Sequence, residues 1–371
     1  MTMNISKQMV TLNQDIAGQE IGIPVYDIDC GQPNCKTVYI QSAVHAAEMQ
    51  GSAVIYHLIR KLKALKLNAN FVLVPNCNPF GRTQRAGEYL QGRFDATTGN
   101  NWNRFYHFDN EIVGRFISEF DEQLADWSEK QIVDKFRLFL LDSLNNKLNK
   151  DWGVNTAQFL NIKLQEMASK ADMVLDLHTG PSSTRHIYSP EFLTEEAQWF
   201  NIETVLSIPI EFAGALDEAS FTPWYRLKQA LKQRGLDFDY HVDAFTIELG
   251  SQENICLAQA SDDANGVIQY LAKKGLVEGQ ENITPKTVAV VPLSNYKTLF
   301  SQHAGMVEYI KKAGDKVQKG DVLARVLNSL EFDNDSAIVN IHAPQSGTVI
   351  LHYPSAAVQV GTQLYKIAVE S

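Results

Sequence analysis

Four short apolar runs, at 37–44, 71–74, 173–177 and 245–249, leave few folds open to this chain. The first is rich in β-formers, the second ends at Pro75, and all read as strands. Apolar residues at helical spacing follow the first run: Val54, Ile55, Leu58, Ile59, Leu62 and Leu65. Further helical stretches are expected at 156–168 and 225–232. Strands separated by helices predict an α/β fold, a mixed sheet flanked by helices. In such sheets ligands gather outside the carboxyl ends of strands. His45, His178 and Glu248 all stand at or near such ends.

These residues carry the chemistry. Val44-His45-Ala46-Ala47-Glu48 puts an imidazole and a carboxylate three residues apart, a spacing with which both can grip one ion. The pair alone recurs by chance. His178, in Asp176-Leu177-His178-Thr179, adds a third donor. Two imidazoles and one carboxylate suit zinc and leave a fourth position open for water, as a catalytic site requires. Asp176 and His178 share one face of a strand, so Asp176 is expected to support the histidine from behind. Glu248 sits inside an apolar strand, where an idle charge is costly. Beside metal-activated water it is expected to act as general base. The stretch from Asn76 to Arg104 holds Arg82, Arg85, Arg93 and Arg104. An arginine fork suits a carboxylate or a polarised carbonyl, and at least two of the four are expected to be solvated. Among the remaining histidines, His186 is the reserve ligand and His57 reads as core-edge.

Residues 105–152 interrupt the alternation with a charged helical insertion, a candidate wall or lid beside the site. A polar linker, Glu278-Gly279-Gln280-Glu281-Asn282, ends the first unit, read as 1–280. Residues 286–371 hold an internal repeat. Gly305-Met306-Val307 precedes Val317, Gly320, Leu323 and Val326; Gly347-Thr348-Val349 precedes Val358, Gly361, Leu364 and Ile367. Two copies of a β unit predict a small all-β sandwich or barrel.

With 33 basic and 43 acidic side chains the net charge is −10, which argues against nucleic-acid or anionic-membrane partners. No segment has the length of uncharged apolar sequence a membrane span needs, and the first residues lack the apolar core of a secretion signal. A cytoplasmic protein is expected, with Cys30, Cys35, Cys77 and Cys256 as free thiols.

The ordered set His45-Ala46-Ala47-Glu48, Asn78-Pro79, Asn103-Arg104, His178 and Glu248 resembles the succinylglutamate desuccinylase/aspartoacylase family, zinc deacylases related to the metallocarboxypeptidases. The resemblance covers roughly residues 20–275. It implies a zinc carboxypeptidase-like sheet and one zinc ion held by His45, Glu48 and His178. It also implies Glu248 as the catalytic glutamate and Arg104 as the arginine that meets the substrate. Arg93 most resembles the family's second arginine, with Arg85 as competitor; both, with Asn103, are substrate-binding candidates. One departure is Asn101, where the family often has an Asp; if that Asp orients a zinc histidine, Asn weakens the donor. The C-terminal repeat resembles the biotinyl/lipoyl hammerhead domain. Its hairpin segment, 328–341, has no carrier lysine, so no biotin or lipoate attachment is expected and packing, oligomerisation or gating would be its use.

The activity expected is zinc-dependent removal of an acyl group from a small N-acyl amino acid or amine, by amide or ester hydrolysis. A peptide-cleaving metallocarboxypeptidase and an inactive metal- or ligand-binding member are the alternatives. The expected partner is a small acylated substrate, with homo-oligomerisation left open.

Overall fold

The computed structural model describes residues 4–279 and 284–369. Part of the expected linker, 280–283, lies outside the described residues. The first unit is built on one nine-stranded mixed sheet. Its elements, in chain order, begin with β1 (Asn4–Gln14), β2 (Glu20–Asp29), β3 (Lys36–Ser42), α1 (Gln50–Leu62) and β4 (Ala69–Val74). Next come α2 (Ile112–Phe120), α3 (Glu129–Leu148), α4 (Thr156–Ala168), β5 (Met173–Gly180), β6 (Arg185–Pro190) and β7 (Thr204–Ile208). The unit ends with α5 (Leu216–Gln233), β8 (Asp243–Ser251), α6 (Leu257–Lys273) and β9 (Ala289–Pro292). The strands lie in the order β1-β2-β4-β3-β5-β8-β6-β7-β9. β4, β3, β5 and β8 run parallel, and all four apolar runs fall within this central block. The N-terminal hairpin β1–β2 and the antiparallel β6 were not among the strands the sequence predicted.

Alternation along the central strands feeds two cores. Val38, Ile40, Met173, Leu175, Phe245 and Ile247 face one side with α1 and α6. Tyr39, Val174 and Ala244 face the other, against α4, α5 and the insertion. The insertion is helical, as expected. Its helix α3 starts at a reciprocal cap in which Ser128 and Gln131 bond each other's backbone, and Asn155 with Gln158 repeats the device at α4. Phe116, Phe136 and Trp224 lock α2 and α3 onto α5. The expected helix at 225–232 begins earlier, at Leu216. Pro223 removes one internal hydrogen bond, yet buried Leu216, Phe221 and Trp224 hold the first turns in place.

Six longer strands, β10 (Tyr296–Phe300), β11 (Gly305–Tyr309), β12 (Val322–Leu327), β13 (Ile338–His342), β14 (Gly347–His352) and β15 (Gln363–Val369), and two two-residue strands, Lys316–Val317 and Ala357–Val358, make up the described C-terminal unit. They form two small antiparallel sheets. The matching apolar positions of the two copies, Val307, Val317, Leu323 and Val326 and then Val349, Val358, Leu364 and Ile367, are buried in a single core, whereas Met306 is exposed. Two of the four repeat glycines are explained by close approach. A Cβ on Gly305 would strike the Leu327 carbonyl, and one on Gly347 the Ala368 carbonyl, so neither position admits a side chain.

One sequence expectation is corrected. Cys30 and Cys35 are joined in a disulfide, because left-handed turns at Gly31 and Asn34 fold the chain back on itself; Cys77 and Cys256 are free. No helix among the described residues is long and apolar enough to cross a membrane.

Candidate active site

Strand register assembles the site. In the sheet Glu248 on β8 lies beside His178 on β5 and His186 on β6, so three titratable side chains stand in one row on one face. The row beneath holds Gln41, Asp176, Thr246 and Tyr188. His45 and Glu48 reach this face from the turn between β3 and α1. Helix α1 begins only at Gln50, which leaves His45–Glu48 free to turn inward. That turn is pinned from outside. Asn78 Nδ2 donates to the Val44 carbonyl at 2.7 Å, and Ala46 N–H donates to the Gly92 carbonyl at 2.9 Å.

His45, Glu48 and His178 offer three donor atoms mutually within 4.8 Å, all buried. His45 Nε2 lies 2.7 Å from Asn101 Oδ1, which also accepts the Asn103 N–H at 2.9 Å. Asn101 Oδ1 is therefore an acceptor, His45 carries its proton on Nε2, and Nδ1 is a bare lone pair. That lone pair faces Glu48 Oε1 at 3.0 Å. Two acceptors this close require a proton or a cation between them. His178 repeats the geometry: Nε2 meets Asp176 Oδ2 at 2.9 Å and Nδ1 meets Glu48 Oε2 at 2.9 Å. Both rings are held from behind and turn Nδ1 toward the same carboxylate, the support that metal-binding histidines use. The donor set fits a divalent metal ion.

Charge is concentrated here. Burial raises the Glu48 carboxyl, but His45 and His178 outweigh it and hold the group well below the ordinary range. Burial lowers His45. It would lower His178 too, yet Asp176 and then Glu48 push that ring well above its usual value. Burial, reinforced by the Glu48 charge, pushes Glu248 up to about 7, and its Oε2 has no hydrogen-bond partner among the described residues.

Of the arginines, Arg93 reaches the centre, with its guanidinium 3.0 Å from Glu48 Oε1. Arg104 stands at the rim. Its carbonyl is bound by Asn161 of α4, and its charge acts on Tyr188 beside Glu248. Arg85 is exposed, bonds the Glu88 carbonyl at 3.1 Å, and does not join the cluster. Asn103 is buried with its amide 3.2 Å from His178 Nε2. His186 does not join the ligand set. Burial drops it to about 4, its Nδ1 lies 3.2 Å from the Thr184 carbonyl, and its Nε2 has no partner among the described residues.

Two site-edge residues, Lys366 and Tyr296, come from the C-terminal unit and carry no signal in the sequence. Strand β14 pairs with Ser182–Ser183, just after His178-Thr179-Gly180, and so carries its unit to the edge of the site. Lys366 Nζ lies 5.0 Å from the Tyr296 ring. Burial, then the positive charge of Arg93, lowers the Lys366 pKa, while Glu248 opposes that shift. Only the tertiary fold joins these residues to the ligand set, because most of the C-terminal unit separates Lys366 from the site motifs along the chain.

The mixed α/β sheet delivers a His–Glu–His donor set that could hold a metal ion, with a half-buried glutamate beside it, to one face. Residues 34–273 match the model of the succinylglutamate desuccinylase/aspartoacylase catalytic domain, and residues 298–367 match the biotin-requiring enzyme model. The chain belongs to the succinylglutamate desuccinylase/aspartoacylase family, a family of deacylases. A solved family protein from Shewanella amazonensis is 39% identical, with a TM-score of 0.93 and 98% of each chain covered. Another, from Shewanella frigidimarina, is 35% identical at a TM-score of 0.93, covering 99% of this chain and 97% of the other. The N-alpha-acetyl-L-2,4-diaminobutyric acid deacetylase of Halomonas elongata is 21% identical over 96% of this chain and 88% of its own length.

Proposed function

We propose that this protein is a zinc-dependent hydrolase that removes the acyl group from a small N-acyl amino acid or amine. The observation that carries this reading is the row His178–Glu248–His186. It sets a half-buried Glu248, whose Oε2 is buried and unpartnered among the described residues, beside a metal-capable donor set. His45, Glu48 and His178 would hold one zinc ion, which when bound polarises a carbonyl and lowers the pKa of water. Glu248 takes a proton from the attacking water and delivers it to the departing nitrogen. Arg93, one hydrogen bond from Glu48, is placed to steady the developing oxyanion. Arg104 and Lys366 supply cations at the rim for a substrate carboxylate. The relative that deacetylates an acetylated diaminobutyric acid supports a small acetylated amino acid as substrate.

A zinc-loaded sample tested against N-acetyl amino acids, N-α-acetyl-2,4-diaminobutyrate and dipeptides decides the matter. Amine release from the acylated compounds is expected; release from dipeptides alone would make the protein a peptidase. Asn101 is the one observation that favours a metal-binding member without turnover.

Two further results are expected. The Lys366→Met protein should show a KM for N-acyl amino acids raised about 10-fold, from loss of a charged hydrogen bond, with kcat little changed. An unchanged KM would remove Lys366 from the binding site. Zinc affinity should also depend on pH. The raised pKa of His178 means that the metal-free protein holds a proton there, which binding must expel. Affinity should climb by roughly tenfold per pH unit and level off only above the raised His178 pKa. Chelator competition from about pH 6 upward measures it (about one proton per zinc is the linkage expected). A flat profile would mean that His178 is neutral before zinc arrives.

A further inference from the structure

A cavity of about 550 Å³ opens beside Arg104, between the insertion and the loop before α5. Its walls include Phe105, Phe108, Phe212 and Ile162, and its cations are Arg104 and Lys147. Among the described residues no carboxylate lines it, although the protein as a whole carries a net charge of −10. Its volume lies within the range of small-molecule pockets.

Arg104 lines the cavity and adjoins the active site in the chain: its neighbour Asn103 lies 3.2 Å from His178 Nε2. The cavity's inner wall is held under constraint. Phe105 keeps a left-handed backbone at φ 67° and leaves half its surface exposed, a costly state for an aromatic residue. Two contacts impose it: Asn161 grips the Arg104 carbonyl, and Tyr106 N–H donates to the Gly214 carbonyl at 3.3 Å. Gly214 lies so close that a Cβ there would stand 3.4 Å from the Phe105 nitrogen and 3.5 Å from Arg104 Cδ. Opposite, the Phe108 and Phe212 rings pack at 5.3 Å.

We propose that this cavity is a substrate subsite and that it selects N-acyl amino acids bearing an apolar or aromatic group, the group seated in the cavity while the carboxylate stays at Arg104. The inference rests on the hydrolase reading and deepens it by naming the substrate class. The apolar group can belong to the amino-acid half or to the acyl half, and the substrates below separate the two.

The test uses the zinc-loaded full chain and N-acetylglycine, N-acetylphenylalanine and N-benzoylglycine. One of the two aromatic compounds should exceed N-acetylglycine in kcat/KM by roughly 10- to 100-fold, the effect expected for burying a phenyl group. N-acetylphenylalanine leading assigns the cavity to the amino-acid half; N-benzoylglycine leading assigns it to the acyl half. Ala213→Trp, on the exposed lip, and Lys147→Glu should each cut that preference by about 10-fold or more. Equal rates for all three compounds, or a preference that survives both substitutions, would overturn the inference.

Calorimetric titration of the same compounds into the Glu248→Gln protein needs no turnover. Preferential binding of an aromatic compound, lost with Ala213→Trp, alongside no hydrolysis by the unmodified protein, would sustain the subsite and sink the hydrolase reading. Hydrolysis without preference would do the reverse. No binding and no hydrolysis would sink both.

Discussion

Replacing Glu248 by Gln is expected to leave zinc loading intact and to lower acyl-amide hydrolysis by about 10²- to 10⁴-fold, the range a positioned general base contributes. The substitution keeps shape and volume. It removes the one group in the row that can both take and return a proton next to the ligand set. Glu248 is held between His178 and His186 by register on both sides, so a change at its tip has no route into the backbone. Folding should not suffer. Burial and the Glu48 charge already oppose ionisation of this carboxyl, so a neutral amide relieves repulsion. Metal stoichiometry, thermal melting and kcat measured on one preparation separate the effects. A melting temperature and zinc content like those of the parent, with turnover within about tenfold of it, would take Glu248 out of the mechanism.

Much of this arrangement was legible in the sequence, for a definite reason. The ligands stand at the ends of short apolar strands, and a parallel strand places its last residues at the edge where ligands bind. Asp176 was readable as the support of His178 because two residues along a strand restore the same face; the 2.9 Å contact follows from that. Asn101 was readable as the support of a zinc histidine only through the family pattern; that the histidine is His45, 56 residues away, comes from the fold. Other features had no local signature. The neighbourhood of His186 and Glu248 depends on β6 pairing antiparallel to β8 at the edge of the parallel block, and nothing in Arg185–Pro190 announces its direction. Lys366 lies in a repeat that the sequence revealed, yet which face of that repeat meets the catalytic unit is set by the docking of β14 on Ser182–Ser183. Gly31 and Asn34 close the Cys30–Cys35 loop through two left-handed residues, a conformation that spacing alone does not reveal.

The two histidines are supported unequally, and the difference can be measured. His178 leans on a carboxylate, Asp176, whereas His45 leans on the amide oxygen of Asn101 at 2.7 Å. A carboxylate behind an imidazole raises its basicity as a ligand more than a neutral amide does, because a charge-assisted hydrogen bond is the stronger one. Asn101→Asp should therefore raise zinc affinity by roughly 10- to 100-fold, the usual weight of such a partner. Geometry allows it. The substituted side chain keeps an acceptor for both His45 Nε2 and the Asn103 N–H, and the new charge enters a loop that already holds Arg93. Chelator competition at fixed pH reads the affinity, and turnover of N-acetyl amino acids reads its consequence. Affinity that does not move would show that His45 contributes little to the ion, and that Glu48 and His178 hold it. Turnover that appears only in the Asn101→Asp protein would mean that the natural chain binds metal without catalysis. Equal or modestly higher turnover would place its zinc chemistry within reach of the amide-supported imidazole.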